Sequence, residues 1–270
     1  MEKPAWGAVF AVALGVAGLS TAEMLPASLL TPMASDLHIS EGLAGQTVTA
    51  TAVVGLVTSL VIAAAARNLN RRALLLLLAG LQVVSNLLVA LAPTLPLLLL
   101  GRLLLGVAVG GFWSFSASVA MRLVPEARVP RAFSIIFGGA AIASVAAAPM
   151  ATTLDAIIGW RNVFLVVAAL ALVAFVWQVV TLPSMPARGR TQLATIVRLL
   201  QRRPIQLGTL GVVLSFAGTA ACSTYLRPFL EQVTHVSVGE LSGILLGMGI
   251  ASFAGTSLAG PLIERSLRLT

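Results

Sequence analysis

The chain has 270 residues, of which 58% are hydrophobic and only 10% charged; its formal net charge is +8 and its mean hydropathy +1.00. A water-soluble domain sits nearer half apolar and a quarter charged, so a soluble globular fold is excluded. The single cysteine, Cys222, lies inside an apolar block, which excludes a disulfide framework.

The apolar residues fall in blocks of about 20, the length at which a helix crosses the hydrocarbon core. Backbone polar groups in lipid must bond internally, so blocks of this kind form helices. Eight spans are predicted, at 7–31, 44–66, 73–92, 94–119, 132–155, 162–182, 205–229 and 241–263, which makes the fold class an all-α polytopic membrane protein. The first block has only Lys3 as a preceding cation and is too long for the apolar core of a cleavable signal.

The cations alternate between loops. Lys3, then Arg67, Arg71 and Arg72, then Arg122, Arg128 and Arg131 fall before span one and after spans two and four. Arg188, Arg190, Arg198, Arg202 and Arg203 follow span six, and Arg265 and Arg268 follow span eight, whereas the intervening loops hold only Arg161 and Arg227. This is the positive-inside asymmetry and predicts a cytoplasmic N-terminus. The basic balance is thereby a signal of topology in a lipid bilayer, and nucleic acid is not an expected partner.

Span one carries a carboxylate, Glu23, in the stretch TAEMLPASLLTPMA. A charged group at mid-helix costs roughly 2.5–3.5 kcal/mol on insertion scales, so it requires a partner, an aqueous cavity or a proton. Span four offers Arg102 in GRLLLGVAVGG. Each lies about eight residues from the outer end of its helix, about 12 Å deep at 1.5 Å per residue, so the two can meet at one height. One reading is a buried ion pair that fixes packing; the favoured one is a proton-coupling pair whose carboxylate titrates with its surroundings. Gly106 and Gly110 permit close helix approach beside it, and Trp113 shares the face of Arg102. Pro149 in span five, after Ala146-Ala147-Ala148, removes a backbone hydrogen bond and predicts a kink.

The segment 184–204 is long, basic and partly amphipathic, with Leu193, Ile196, Val197 and Leu200 at helical spacing. It divides the chain into a six-helix bundle at 1–183, a cytoplasmic linker at 184–204 and two helices of a second bundle at 205–270. Tyr225-Leu226-Arg227-Pro228 of span seven stands where Glu23-Met24-Leu25-Pro26 stands in span one, as in transporters built from duplicated bundles. His38 and His235 fall in loops, and no metal-ligand cluster or nucleophile–base pair is visible, so neither an enzyme nor a cofactor is expected.

Several motifs fall in order on these helices. Leu98 to Gly111, with Arg102 and Gly106, matches an R-x-x-x-G pattern, and Ser144 to Ala151 matches a fifth-helix pattern with Ala148-Pro149 in place of Gly-Pro. Gly159 to Phe164 reads G-W-R-N-V-F, and Gly260 to Arg268, with Glu264 and Arg265, resembles G-x-L-x-[DE]-R-x-G-R. The first-half copy of that loop keeps Arg71 and Arg72, with Arg67 at the acidic position and Asn70 at the glycine. Together they resemble the major facilitator superfamily, drug:proton antiporter type. The resemblance implies a six-helix N-terminal bundle followed by the first two helices of a C-terminal bundle, alternating access and a place in the bacterial inner membrane. It ties the fourth-helix motif to proton coupling and the loop motif to closure of the cytoplasmic side.

Further segments, among them EMLPASLLTPMASDLHISEGLAGQTVTATA and GGFWSFSASVAMRLVP, resemble the purine-nucleoside exporters of that superfamily. They imply efflux of nucleosides such as inosine and guanosine against protons. Sugar or drug export on the same scaffold, or a non-transporting membrane scaffold, stands as the alternative. A nucleoside needs a stacking face and hydroxyl partners, for which Ser20, Trp113, Tyr225 and Arg227 are the candidate cavity residues; the two aromatics read equally as packing residues.

Overall fold

The computed structural model describes residues 5–65, 69–186, 201–234, 236–237 and 239–251. The middle of the expected linker, the end of the eighth predicted span, and with it Glu264 and Arg265, lie outside the described residues, as does His235. The helices are α1 (Trp6–Ser28), α2 (Leu30–Asp36), α3 (Glu41–Ala65), α4 (Arg71–Ala90), α5 (Leu95–Leu123), α6 (Val129–Ile158), α7 (Trp160–Thr181), α8 (Arg203–Gln232) and α9 (Gly239–Ala251). Among the described residues, 7 helices are long and apolar enough to cross a membrane, and the molecule is a multi-pass membrane protein.

The helices agree with the first seven hydropathy blocks, except that the first block holds two helices; the eighth is described only as far as Ala251. A helical N–H bonds the carbonyl four residues earlier, and proline has no N–H to give. Pro32 therefore leaves the carbonyl of Ser28 without its helical donor, and the helix breaks at Leu29, between α1 and α2. Pro26 leaves the carbonyl of Ala22 open in the same way, although α1 continues through it.

The six spans formed by α1–α7 pack as two three-helix units with exchanged partners. The first helix of each unit lies along the second helix of the other: α1 along α6, and α5 along α3, while α4 packs on α5 and α7. The α3–α5 contact is made on glycine. A Cβ on Gly106 would fall 2.7 Å from the carbonyl oxygen of Thr51, and one on Gly110 would fall 2.9 Å from the carbonyl carbon of Gly55. The core runs along α1, where Ala8, Val9, Ala11 and Val16 are wholly buried. Val166, Val173, Val176 and Val180 of α7 face outward, as a lipid-facing wall requires.

At one end, the basic end, α3 connects to α4 and α5 to α6. At the other, α6 passes into α7 through Gly159 alone, whose φ of 78° is readily available only to glycine. The second bundle touches the first near this other end: α8 contacts α1, α2 and α3. From Arg203 to Cys222, toward the basic end, α8 is exposed along its whole length.

Candidate functional site

Arg102 of α5 is 1% exposed, and its guanidinium is held by backbone carbonyls of two other helices. Nη1 donates to the carbonyl of Ala22 at 2.8 Å, Nη2 to that of Glu23 at 3.4 Å, and Nε to that of Thr47 at 3.2 Å. The Ala22 carbonyl is the one that Pro26 deprives of a helical donor, so α1 is built with an acceptor waiting for this arginine. Thr51 supports the arrangement from α3, with its hydroxyl donating to the carbonyls of Thr47 (3.1 Å) and Arg102 (3.2 Å). Ser85 of α4 donates to the carbonyl of Gly101 at 2.7 Å.

Glu23 meets Arg102 through its peptide rather than its carboxylate. Among the described residues no ion pair within 4.0 Å joins the two side chains, and none donates a hydrogen bond to the carboxylate, which is half-buried. The charges remain close enough to act on each other through space. Ser20, one turn earlier, is buried in α1.

A second arginine sits at the break in α1. Arg227 lies inside α8, within the span predicted at 205–229, and its side chain is 9% exposed. It donates from Nη1 to the Ser28 carbonyl, from Nη2 to Asp155 Oδ2 at 3.4 Å and from Nε to Glu231 Oε1 at 2.8 Å. Asp155 lies in the last turn of α6, just before α7 begins at Trp160. Tyr225, two residues before Arg227 and half exposed, lays its hydroxyl on the bare backbone of Gly45; a Cβ there would fall 2.6 Å from Oη. Trp113 is 42% exposed and stacks on Phe137 of α6 at 5.8 Å, and Phe137 in turn stacks on Phe133. The structure thus brings Glu23 and Arg102 together but sets Trp113, Tyr225 and Arg227 in separate packing environments.

The Major Facilitator Superfamily model matches residues 10–270. The chain belongs to the major facilitator superfamily. It is 48% identical over 269 residues to the "Purine ribonucleoside efflux pump NepI" of Salmonella enteritidis PT4 and, equally, of Salmonella typhi, covering 100% of this chain and 68% of each relative. Among solved structures it resembles a bacterial homologue of the human lysosomal transporter Spinster in an inward-facing, unoccupied conformation, with TM-score 0.79, 19% identity and 98% of this chain. It spans 64% of that protein's length. A D-xylose-proton symporter matches with TM-score 0.75 and 16% identity over 97% of this chain and 70% of its own. As a superfamily member the molecule is a transport protein and not an enzyme.

The superfamily motifs have definite places. Gly106 and Gly110 form the tight α3–α5 contact below Arg102. Helix α6 runs unbroken through Pro149, and the Val145 carbonyl that this proline releases faces α9, where a Cβ on Gly249 would fall 3.1 Å from it. Arg71 is buried with its guanidinium 4.3 Å from the centre of the Phe115 ring, and Arg72 donates to the carbonyl of Val179 at 2.8 Å. Asn70, at the motif's glycine position, caps α4 by accepting from the Arg72 N–H at 2.9 Å, and it also accepts from the N–H of Met185 at 3.0 Å. Trp160 and Arg161 both donate to Asp36 at the end of α2.

Sequence reasoning missed Asp155, Glu231 and the role of Pro32. The signal for one of them was present: Glu231 stands four residues after Arg227, an ion-pair spacing. A cavity of about 330 Å³ between α1, α6 and α7 is lined by Ala17, Thr21, Leu25, Ala143, Ala147 and neighbours. It is almost wholly apolar, and Glu23, Ser20, Trp113 and Tyr225 are absent from its walls.

Proposed function

We propose that this protein exports purine ribonucleosides, such as inosine and guanosine, in exchange for protons by alternating access, and that it lies in a bacterial inner membrane with its N-terminus in the cytoplasm. The observation that carries the reading is the 48% identity, over the entire chain, to pumps named for that cargo. In this reading residues 1–183 form one rocking bundle, 184–204 the linker and 205–270 part of the other.

Glu23 is the coupling group. Arg102 is fixed by peptide carbonyls and supplies a stationary positive charge, whereas the Glu23 carboxylate has no fixed donor among the described residues and can gain and lose a proton without dismantling a protein contact. Protonation from outside accompanies nucleoside release, and deprotonation to the cytoplasm resets the site. With the basic end cytoplasmic, the contact of α8 with α1, α2 and α3 lies toward the outer end. Ser20, Trp113 and Tyr225 are the contacts proposed for the nucleoside. The test is uptake of labelled inosine into everted vesicles under a proton gradient. Uptake that collapses with the gradient, and that guanosine inhibits while sugars and unrelated drugs do not, supports the reading; uptake inhibited only by sugars or drugs reassigns the cargo.

A further inference from the structure

The cluster around Arg227 has no part in the coupling chemistry above, yet it is the best-bonded charge between the two bundles. Its partners divide by bundle. Ser28 and Asp155 belong to the first bundle, and Glu231 belongs to α8, the same helix as Arg227 itself. Breaking a buried ion pair normally leaves an uncompensated charge, which costs roughly 3–5 kcal/mol and would freeze the interface. Here neither side is abandoned. Glu231 sits one turn along α8 at 2.8 Å and travels with Arg227, while Asp155 lies in the last turn of α6 beside the N-terminus of α7, where a carboxylate is favoured. The cross-bundle contact to Asp155 is the longer one, at 3.4 Å. The Ser28 carbonyl has no rival donor within its helix, because Pro32 occupies that place.

We infer that Arg227 is a two-position latch: it holds the bundles together through Ser28 and Asp155, and on opening it withdraws paired with Glu231. This rests on the alternating-access reading, but it can be tested without transport. Thr152 of α6 and Ser242 of α9 touch across the same interface, with their hydroxyl oxygens 2.7 Å apart. In a Cys222→Ser background, cysteines replacing Thr152 and Ser242 report closure by the rate of oxidative cross-linking in membrane vesicles. Asp155→Asn and, independently, Arg227→Gln are expected to slow cross-linking several-fold. Glu231→Gln is expected to speed it, because the open state then loses the pairing of Arg227 with Glu231 and the closed state is favoured.

Parent-like rates in both Asp155→Asn and Arg227→Gln overturn the latch. So does slowing in Glu231→Gln equal to that in Asp155→Asn, which marks a static network. Should Asp155→Asn fail to accumulate as a monodisperse species, Arg227→Gln and Glu231→Gln still decide by their opposite signs. A protein that shows the opposite signs but moves no nucleoside keeps the latch and loses the proposed cargo.

Discussion

Arg102 is satisfied by three peptide carbonyls, and this separates its role from that of Glu23. Hydrogen bonds from a charged donor contribute roughly 1.5–3 kcal/mol each, so the guanidinium is a fixed structural charge that cannot leave cheaply. The carboxylate carries no comparable obligation. Glu23→Gln is therefore expected to leave expression and thermal stability near those of the parent, while proton-driven inosine uptake in vesicles falls to background and downhill exchange persists. Proton-dependent uptake at the parent rate would remove Glu23 from coupling. The sequence placed these two residues at one depth by counting from the helix ends, and the structure brings them together. It could not show that the arginine would take the peptide and spare the carboxylate, because that depends on Pro26 freeing a carbonyl one turn away, a backbone effect with no trace in hydropathy.

At the scale of the helix, close approach is set by glycine. Gly110 faces the backbone of Gly55, and a methyl group there has no room, whereas a Cβ on Gly138 of α6 meets nothing within 4 Å. Gly110→Ala is expected to destabilise by roughly 1–3 kcal/mol through overpacking and to lower the melting temperature in detergent, while Gly138→Ala stays within about 0.5 kcal/mol of the parent. Equal effects would mean that the α3–α5 contact does not limit stability. Such glycines are common in membrane helices, so the sequence alone did not separate Gly110 from Gly138; only the position of α3 does. The break at Leu29 was hidden for a related reason, since the apolar run continues unbroken through Pro32 and a hydropathy window averages over it.

Over the whole molecule, charge and hydropathy made the span order, the basic end and the fold class legible. The pairing of Arg227 with Asp155 was not, because it joins residues 72 apart in sequence through the packing of two bundles. The alternation of cations predicts that a reporter fused in the turn at Arg128 is cytoplasmic and one at His38 is external; activity of an export-dependent reporter at Arg128 would reverse the orientation and with it the direction of transport.

The interrupted ladder of α1 carries one more implication. Arg102 and Arg227 both dock on carbonyls that proline has left vacant, at Ala22 and Ser28, six residues apart on one polypeptide stretch. Mutational surveys confined to ionisable and hydroxyl side chains would pass over Pro26 and Pro32, although a newly supplied amide hydrogen at either position would compete directly with an arginine for its acceptor.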